Sequence, residues 1–276
     1  MRFAHQARAA TGEIGAEWFE VHAENYMRHD AALGELRSVA RRVPLSLHAV
    51  GLSLGSADGI DADHVSRFSD LVNDLDPGLI SDHLSWSRIS GIFLPDLLPL
   101  PCNDEALSVF SRNVEQVQRA VERQLLIENP STYLQPEATR FSEAQFLARL
   151  VAHTGCGILL DINNLFVSAS NRGLSPEIML DEFLERLNPG DIGEIHLAGH
   201  ATIQTGNEPA LRVDDHGSKV CVEVWSLYER ALRALGPKPT LIEWDTRIPG
   251  FEVLVDEAAH AQRILDQSQA PHAIAV

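Results

Sequence analysis

Short apolar, β-rich runs alternate with helical patterns along the chain, and this alternation limits the possible folds more than any other feature. The seven runs are WFEVHA at 18–23, PLSLHAV at 44–50, GLISDHL at 78–84, QLLIENP at 124–130, GILLDIN at 157–163, IGEIHLA at 192–198 and PTLIEWD at 239–245. Strands that alternate with helices are typical of βα units, which build a parallel sheet. The sequence therefore predicts an α/β fold in which the strands form a (β/α) barrel.

Helix signals fill the segments between the runs. The clearest segments are 29–42, with Leu33, Leu36, Val39 and Ala40 at helical spacing, 104–122, behind an N-cap at Asn103, and 177–187, behind Pro176 at a first-turn position. Apolar residues at i, i+3 and i+4 share one helix face, and Asn or Pro at these positions starts a helix. We expect helices in all three segments.

A closed barrel has eight strands, one more than the seven runs. We expect the N-terminal strand, which would precede Arg2, to be short or missing. A partly open barrel or a misassigned start codon would each explain this. No Gly/Ser-rich linker or low-complexity stretch divides the chain, and residues 89–103, with three prolines, are interpreted as a long βα loop. We expect a single domain over residues 1–276.

Composition narrows the class of protein. The 276 residues are 45% hydrophobic and carry a net charge of -17, which disfavours nucleic acid as a partner. The three cysteines are widely spaced, so neither a disulfide framework nor a zinc-thiolate site is indicated. The sequence shows no signal peptide and no apolar run long enough for a membrane span. We expect a cytoplasmic protein that does not bind membranes.

Six of the seven runs end in a potential metal ligand. These residues are His48, His83, Glu128, Asp161, His196 and Glu243. The carboxyl ends of parallel barrel strands converge on one face, where barrel enzymes have their active sites. Imidazoles and carboxylates suit iron, manganese or zinc, and Glu128 and Glu243 could each bridge two cations. Asn129 and Asn163 are expected to orient ligating carboxylates through hydrogen bonds.

Two short motifs add further candidate ligands. The sequence Asp214-Asp215-His216-Gly217 places Asp214 and His216 two residues apart, so that both side chains point the same way in an extended segment. Asp161 is followed three residues later by Asn164, a spacing that makes them neighbours where a strand end runs into a helical turn. The sequence therefore predicts a centre for two or three ions.

Each residue also has a structural interpretation. A single histidine at a strand end is more often a hydrogen-bonded structural residue than a ligand, and Asp161 alone could equally be a helix N-cap. Six such residues on six strands are poorly explained by coincidence, because buried charges are costly unless paired or metal-bound. Glu20, His22 and Glu24 could equally support ligands or contact a substrate. The histidines expected to make only surface or local contacts are His5, His29, His64, His153, His260 and His272.

The residues around these positions form long and unusual motifs. They are EWFEVHAENYM at 17–27, PLSLHAVGLSLGS at 44–56, SDHLSW at 81–86, LLPLP at 97–101, IENPSTYL at 127–134, LLDINN at 159–164, EIHLAGH at 194–200, DDHG at 214–217, VW-x-LY at 224–228 and EWD at 243–245. Together they closely resemble the multinuclear non-heme iron-dependent oxidative enzymes, a family that includes methanobactin biosynthesis protein B. The resemblance covers nearly the whole chain.

This resemblance implies a TIM-like barrel of the xylose isomerase and endonuclease IV type. It implies two or three iron ions (Fe²⁺/Fe³⁺) and O₂ as a co-substrate, which together modify cysteine or another residue in a ribosomally synthesised precursor peptide. Family members often require a partner protein for peptide delivery. The implied ligands are His48, His83, Glu128, Asp161, Asn164, His196, Asp214, His216 and Glu243, and His200 is implied as a residue near the site.

The sequence departs from the family at its N-terminus, where family members usually show an additional strand, something like GVGLR, ahead of the position of Met1.

Two other functions also stay open. A zinc- or manganese-dependent hydrolase or isomerase on the same barrel would need only a metal-activated water. A non-catalytic, metal-stabilised binding subunit would need no open coordination position.

Overall fold

Seven parallel strands form a nearly closed barrel in the computed structural model, which describes residues 15–204, 206 and 209–269. The barrel strands, numbered in chain order with gaps for two hairpins, are β1 (Phe19–His22), β2 (Leu45–His48), β3 (Leu79–His83), β6 (Leu126–Glu128), β7 (Gly157–Asp161), β8 (Ile192–Leu197) and β11 (Thr240–Ile242). Their order in the sheet follows the chain. Each strand lies within one of the seven predicted runs, so the predicted barrel is confirmed.

Strands β1 and β11 are the two edges of this sheet. Their carboxyl ends approach each other, because His22 Nε2 at the end of β1 lies 3.9 Å from Oε1 of Glu243, which directly follows β11. A cavity of about 1160 Å³ is lined by residues of both edge strands. The predicted shortening of the N-terminal strand concerns the start of the chain, which lies outside the described residues.

Helices follow the barrel strands along the chain. The α-helices in the described residues are α1 (Asp30–Ala40), α2 (Ala62–Leu75), α3 (Asp104–Val121), α4 (Glu143–Thr154), α5 (Ile162–Asn171), α6 (Pro176–Arg186), α7 (Val222–Leu235) and α8 (Phe251–Gln269). The three predicted helices are confirmed as α1, α3 and α6. Asn103 caps α3 by accepting a hydrogen bond from the Ala106 backbone N–H at 2.9 Å, and Pro176 is in the first turn of α6.

Two hairpins extend from the carboxyl ends of β3 and β8. They pair β4 (Trp86–Ile89) with β5 (Ile92–Leu98) and β9 (Ala201–Ile203) with β10 (Leu211–Val213). The prediction of a loop at 89–103 is therefore wrong for the part that forms β5. Pro95 suggested a loop, but a hairpin strand has a free edge that tolerates a missing N–H. Ser90 and Gly91, both at positive φ, supply the two-residue turn.

The apolar core lies between the strands and the helices. Phe110 of α3 and Phe146 of α4 are fully buried and meet edge to face, with ring centroids 6.3 Å apart. Buried Tyr228 of α7 shares a 2.9 Å hydrogen bond with Thr240 of β11, which ties the helix layer to the barrel. Among the described helices, none combines the length and hydropathy that a membrane span requires.

Candidate metal centre

The carboxyl ends of the barrel strands bring the six strand-end residues into one polar region. His48, His83, Glu128 and Asp161 end β2, β3, β6 and β7, His196 is the penultimate residue of β8, and Glu243 directly follows β11. The first five are buried, and the Glu243 side chain is 10% exposed. Parallel strand geometry alone therefore produces this convergence, as the sequence predicts.

The first group consists of His48, His83 and Glu128. The two Nε2 atoms are 3.3 Å apart, and Glu128 Oε2 lies 3.3 Å from His48 Nε2 and 3.2 Å from His83 Nε2. Donors about 2.1 Å from one ion stand about 3.0–3.4 Å apart, so these spacings suit a single cation. His48 Nδ1 lies 2.7 Å from Ser81 Oγ, and a proton donated there leaves the Nε2 lone pair free for a metal.

Without a metal, the charges in this group compete. Burial disfavours the His83 imidazolium, but the carboxylates of Glu128, Asp82 and Glu243 together outweigh burial and raise the pKa of His83 to about 9. Burial raises the pKa of Glu128 to about 8, although His83 opposes this. Burial, reinforced by His83, lowers the pKa of His48 well below its usual value. Without a metal, Glu128 and His83 therefore hold protons to higher pH than usual, and a cation at the centre of the three side chains would displace those protons.

A second group shares Glu128 with Asp161, His196 and Glu243, whose candidate ligand atoms all lie within 4.8 Å of one another. His196 Nδ1 is 3.2 Å from Glu243 Oε2. Asp161 divides its oxygens, because Oδ1 accepts the backbone N–H of Asn164 at 2.6 Å and caps α5, whereas buried Oδ2 has no hydrogen-bond partner. Three carboxylates and one imidazole are hard to intermediate donors of the kind that manganese, iron or zinc accept.

The asparagines beside this group hold it in place. Asn164 donates from Nδ2 to Glu128 Oε1 at 3.2 Å, so it orients the carboxylate that the first two groups share. Its Oδ1 is buried and has no hydrogen-bond partner, which leaves that oxygen available as a ligand. Asn129 exchanges two 2.9 Å hydrogen bonds with the backbone of Asp161. Asn129 therefore fixes a strand end and contacts no carboxylate in these bonds, whereas the sequence predicted a carboxylate contact.

The third group lies on the loop that precedes α7. His216 Nε2 is 2.7 Å from Asp214 Oδ1, yet it makes no hydrogen bond, which is the arrangement of two donors that face one ion. His216 Nδ1 lies 3.2 Å from Glu243 Oε2 and 3.3 Å from Asp245 Oδ2. Asn163 donates to Asp214 Oδ1 at 2.8 Å, as predicted for an orienting amide. Glu243 thus joins the second and third groups.

Two buried carboxylates on the other side of His196 complete the region. Its Nε2 is 3.3 Å from Glu194 Oε1 and 3.4 Å from Glu20 Oε1, while Nδ1 faces Glu243. Burial raises the pKa of Glu194 to about 7, whereas His196 and His48 together outweigh burial at Glu20 and lower its pKa to about 2. Glu20 was a candidate supporting residue from the sequence, but Glu194 was missed. Its spacing of two residues from His196 on one strand was the available signal.

The two remaining candidates from this part of the sequence lie in different elements, because His22 ends β1 whereas Glu24 belongs to the 3-10 helix Ala23–Asn25 that follows it. His22 Nε2 lies 3.9 Å from carboxylate oxygens of Glu243 and Asp245, at the edge of the third group. Glu24 instead accepts the Val50 backbone N–H at 3.1 Å and pairs with His64 at 3.1 Å, so it stabilises a loop. His200 lies behind the ligand region, with Nδ1 2.9 Å from Asn163 Oδ1.

The donor atoms fit a cluster of cations. Buried side-chain atoms without a hydrogen-bond partner in this region are His83 Nδ1, Glu128 Oε2, Asp161 Oδ2, Asn164 Oδ1, Glu194 Oε2 and His216 Nε2. Each unpaired buried polar atom costs about 1–3 kcal/mol, and so many in one place are unusual in a folded protein. The nine candidate ligands, which are the eight residues of the three groups and Asn164, include no cysteine, so their oxygen and nitrogen donors match iron, manganese or zinc.

Solved structures with the same fold support this architecture. A xylose isomerase-like TIM barrel protein from Mycobacterium smegmatis in complex with magnesium aligns over 96% of this chain and 89% of that chain, with a TM-score of 0.60 and 14% identity. D-psicose 3-epimerase in the presence of D-fructose aligns over 96% and 92%, with a TM-score of 0.57 and 14% identity. Endonuclease IV from Thermus thermophilus aligns over 96% and 93%, with a TM-score of 0.56 and 16% identity. At these identities the likeness shows the fold alone.

Proteins related by sequence are more similar to this chain than these solved structures are. A UPF0276 protein of Caulobacter vibrioides is 44% identical over 266 residues, which are 96% of this chain and 93% of the relative. A UPF0276 protein of Paraburkholderia phytofirmans is 44% identical over 252 residues, or 90% and 80% of the two chains. The family model described as RiPP precursor modification enzyme MbnB/TglH/ChrH matches residues 1–266. The resemblance seen in the motifs is thereby confirmed, and the chain belongs to the MbnB/TglH/ChrH family of RiPP precursor modification enzymes.

Proposed function

We propose that this protein is a non-heme iron enzyme that uses O₂ to oxidise cysteine, or another residue, in a ribosomally synthesised precursor peptide. The observation that carries the proposal is the sharing of carboxylates between groups. Glu128 belongs to the first and second groups, and Glu243 lies between the second and third. A carboxylate has two oxygens and can join adjacent cations, so three contiguous groups favour a multinuclear centre over a single ion.

The chain's residues would hold two or three iron ions in this arrangement. The proposed ligands are His48, His83, Glu128, Asp161, Asn164, His196, Asp214, His216 and Glu243. Bound iron would supply O₂ binding and electron transfer, with dioxygen as the oxidant of the peptide. The protein's part is to fix the donors, since Ser81 orients His48 and Asn164 orients Glu128 through hydrogen bonds.

A peptide would reach the centre between the two hairpins, because both follow strands whose ends carry candidate ligands. Ile92 and Phe93 on the first hairpin are 61% and 57% exposed, and Ile203 and Leu211 on the second are 47% and 40% exposed. Such clustered apolar side chains on loops around a site are suited to contacts with a peptide or with a protein that delivers it.

The test of the proposal is the metal content of protein purified without oxygen, measured by elemental analysis with Mössbauer and EPR spectroscopy on the same sample. We expect about two to three irons per chain with a coupled mixed-valence signal. Stoichiometric zinc or manganese without iron would contradict the oxidative function. A protein that takes up none of these metals would favour a non-catalytic binding subunit.

Substitutions of candidate ligands test which residues bind the metal. Replacing Glu128 or His216 with Ala should abolish iron loading and O₂-dependent peptide modification, because Glu128 belongs to the first two groups and His216 lies between Asp214 and Glu243. Glu115 of α3, whose side chain is 46% exposed, is the matched control when changed to Ala and should load iron like the wild type. Full iron content and turnover in a folded Glu128→Ala protein would rule out this ligand set.

A redox-neutral reaction is the second candidate. Glu128, Asp161, His196 and Glu243 form a group that could hold a single divalent cation without the other residues. Metal-dependent hydrolysis or isomerisation would need only that ion, with zinc or manganese in place of iron. Loss of activity on removing those four residues, with no effect of changing His48, His83 or His216, would favour this alternative.

A further inference from the structure

Arg212 on the second hairpin starts a chain of hydrogen bonds that ends at the third group. Its Nη1 lies 2.8 Å from His200 Nε2, and His200 Nδ1 lies 2.9 Å from Asn163 Oδ1. Asn163 Nδ2 donates to Asp214 Oδ1 at 2.8 Å, and this same oxygen is 2.7 Å from His216 Nε2. Three hydrogen bonds therefore connect an arginine outside the ligand set to one of its carboxylates.

The arginine sets the direction of every bond in this chain. A guanidinium only donates, so His200 Nε2 must accept, and the imidazole proton must lie on Nδ1. That proton is donated to Asn163 Oδ1, which turns the amide nitrogen toward Asp214. Burial and the Arg212 charge both lower the pKa of His200, which keeps the imidazole neutral. The opposite amide orientation would place an oxygen of Asn163 against a carboxylate oxygen.

The structure holds Arg212 firmly in place. Asn171 of α5 donates from Nδ2 to the Arg212 carbonyl at 2.8 Å and accepts the Arg212 backbone N–H at 2.9 Å. The guanidinium lies 4.8 Å above the ring of buried Phe166, and the His200 ring packs on that same ring at 5.3 Å. An arginine fixed at both its backbone and its head group can fix the next residue in the chain.

We propose that Arg212 is a positioning residue that acts through His200 and Asn163 to hold the Asp214 carboxylate against the His216 imidazole. The inference deepens the proposed function and rests on it for the role of Asp214 as a ligand. Arg212 lies on β10, so the hairpin that borders the site is also coupled to the metal centre.

Iron affinity tests the inference, measured anaerobically by competition with a chelator. Arg212→Met keeps the apolar stem over Phe166 but removes the donor, and we expect roughly 10–100-fold weaker binding of the most weakly held iron. Arg212→Lys restores a donor but not the planar group over Phe166, so its affinity should lie between those of the wild type and Arg212→Met. Arg186→Met, at an exposed arginine of α6, is the matched control. Denaturant midpoints of the metal-free variants should agree, which separates positioning from stability.

Wild-type affinity in Arg212→Met, or a Lys variant as weak as the Met variant, would overturn the inference. A second readout needs no metal, because ¹⁵N NMR of the metal-free protein reports the His200 tautomer. We expect His200 to carry its proton on Nδ1 in the wild type and to lose this preference in Arg212→Met. A wild-type protein with the proton on Nε2 would overturn the proposed chain of hydrogen bonds. A wild-type protein that binds no iron would contradict the proposed function. The His200 tautomer would still show whether the chain of hydrogen bonds from Arg212 to Asp214 exists.

Discussion

Asp161 combines two roles that are alternatives when the sequence is considered alone. One oxygen caps α5 and the other is a buried, unpaired donor that faces the candidate centre. Burial raises the pKa of this carboxyl to about 7, so the ionised form is unfavourable until a cation is present. A single side chain thus starts a helix and contributes to the site because the strand ends where that helix begins.

Two substitutions separate these roles. In metal-free protein, Asp161→Asn keeps an oxygen that can cap the helix and should cost little stability, whereas Asp161→Ala should lower the free energy of unfolding by about 1 kcal/mol. Both variants should lose metal, since neither retains a carboxylate. Urea denaturation with chelator present and metal analysis provide the two measurements. Equal instability of Asn and Ala would show that the cap contributes nothing, and full metal loading of Asp161→Asn would remove Asp161 from the ligand set.

At the scale of elements, the leucine side chain of one strand packs against glycines on the next two strands of the barrel. Leu126 of β6 points to the same face as Glu128 because strand side chains alternate. A Cβ added to Gly157 on β7 would lie 2.5 Å from Leu126 Cδ2, and one added to Gly193 on β8 would lie 2.7 Å from it. Both glycines therefore leave room for Leu126, so that β6, β7 and β8 approach closely enough to bring Glu128 into the centre.

Gly157→Ala tests this packing. The extra methyl group has no space, and we expect overpacking to cost about 1–3 kcal/mol of unfolding free energy. Gly190→Ala is the control, because a Cβ there meets no atom within 4 Å and the change should be nearly neutral. Leu126→Val combined with Gly157→Ala should recover part of the loss in a denaturation experiment. Equal stability of the two single variants would show that the strands adjust without strain.

At the scale of the whole molecule, the buried centre couples stability to pH. Glu128, with its pKa raised to about 8, and His83, raised to about 9, hold protons in the folded protein that the unfolded chain releases at lower pH. His196 and His216 have raised pKa values as well, because neighbouring carboxylates outweigh burial. The folded, metal-free protein therefore binds more protons than the unfolded chain above the usual histidine pKa.

Stability of the metal-free protein should consequently fall as the pH rises from about 6.5 to about 9. The sign follows because each group with a raised pKa favours folding below its unfolded pKa and loses that contribution through its folded pKa. Metal requires deprotonated ligands, so added iron should stabilise the protein more at the upper end of this range. Denaturation at several pH values, with and without metal, measures both trends. Metal-free stability that rises over this range would contradict the assignment of these protonation states.

The sequence by itself determined the barrel, because the seven apolar runs and the helix signals between them are local patterns that the tertiary structure left intact. It also located the strand-end ligand candidates, since parallel strands place their carboxyl ends on one face whatever the loops do. The single domain over 1–276 and the ligand roles of the nine residues stay predictions.

Only the tertiary structure decided which side chains meet. Three sets of contacts could not be read from the sequence: Glu194 with His196, Asn129 with the Asp161 backbone, and Arg212 with His200. They depend on distances between residues that are far apart in the sequence, or on the direction in which a side chain points. The β4–β5 hairpin was missed because Pro95 indicates a loop locally, whereas pairing across the turn is not a local property. Short-range patterns fix the elements, but hydrogen-bond direction and burial arise only when the strands and loops come together in space.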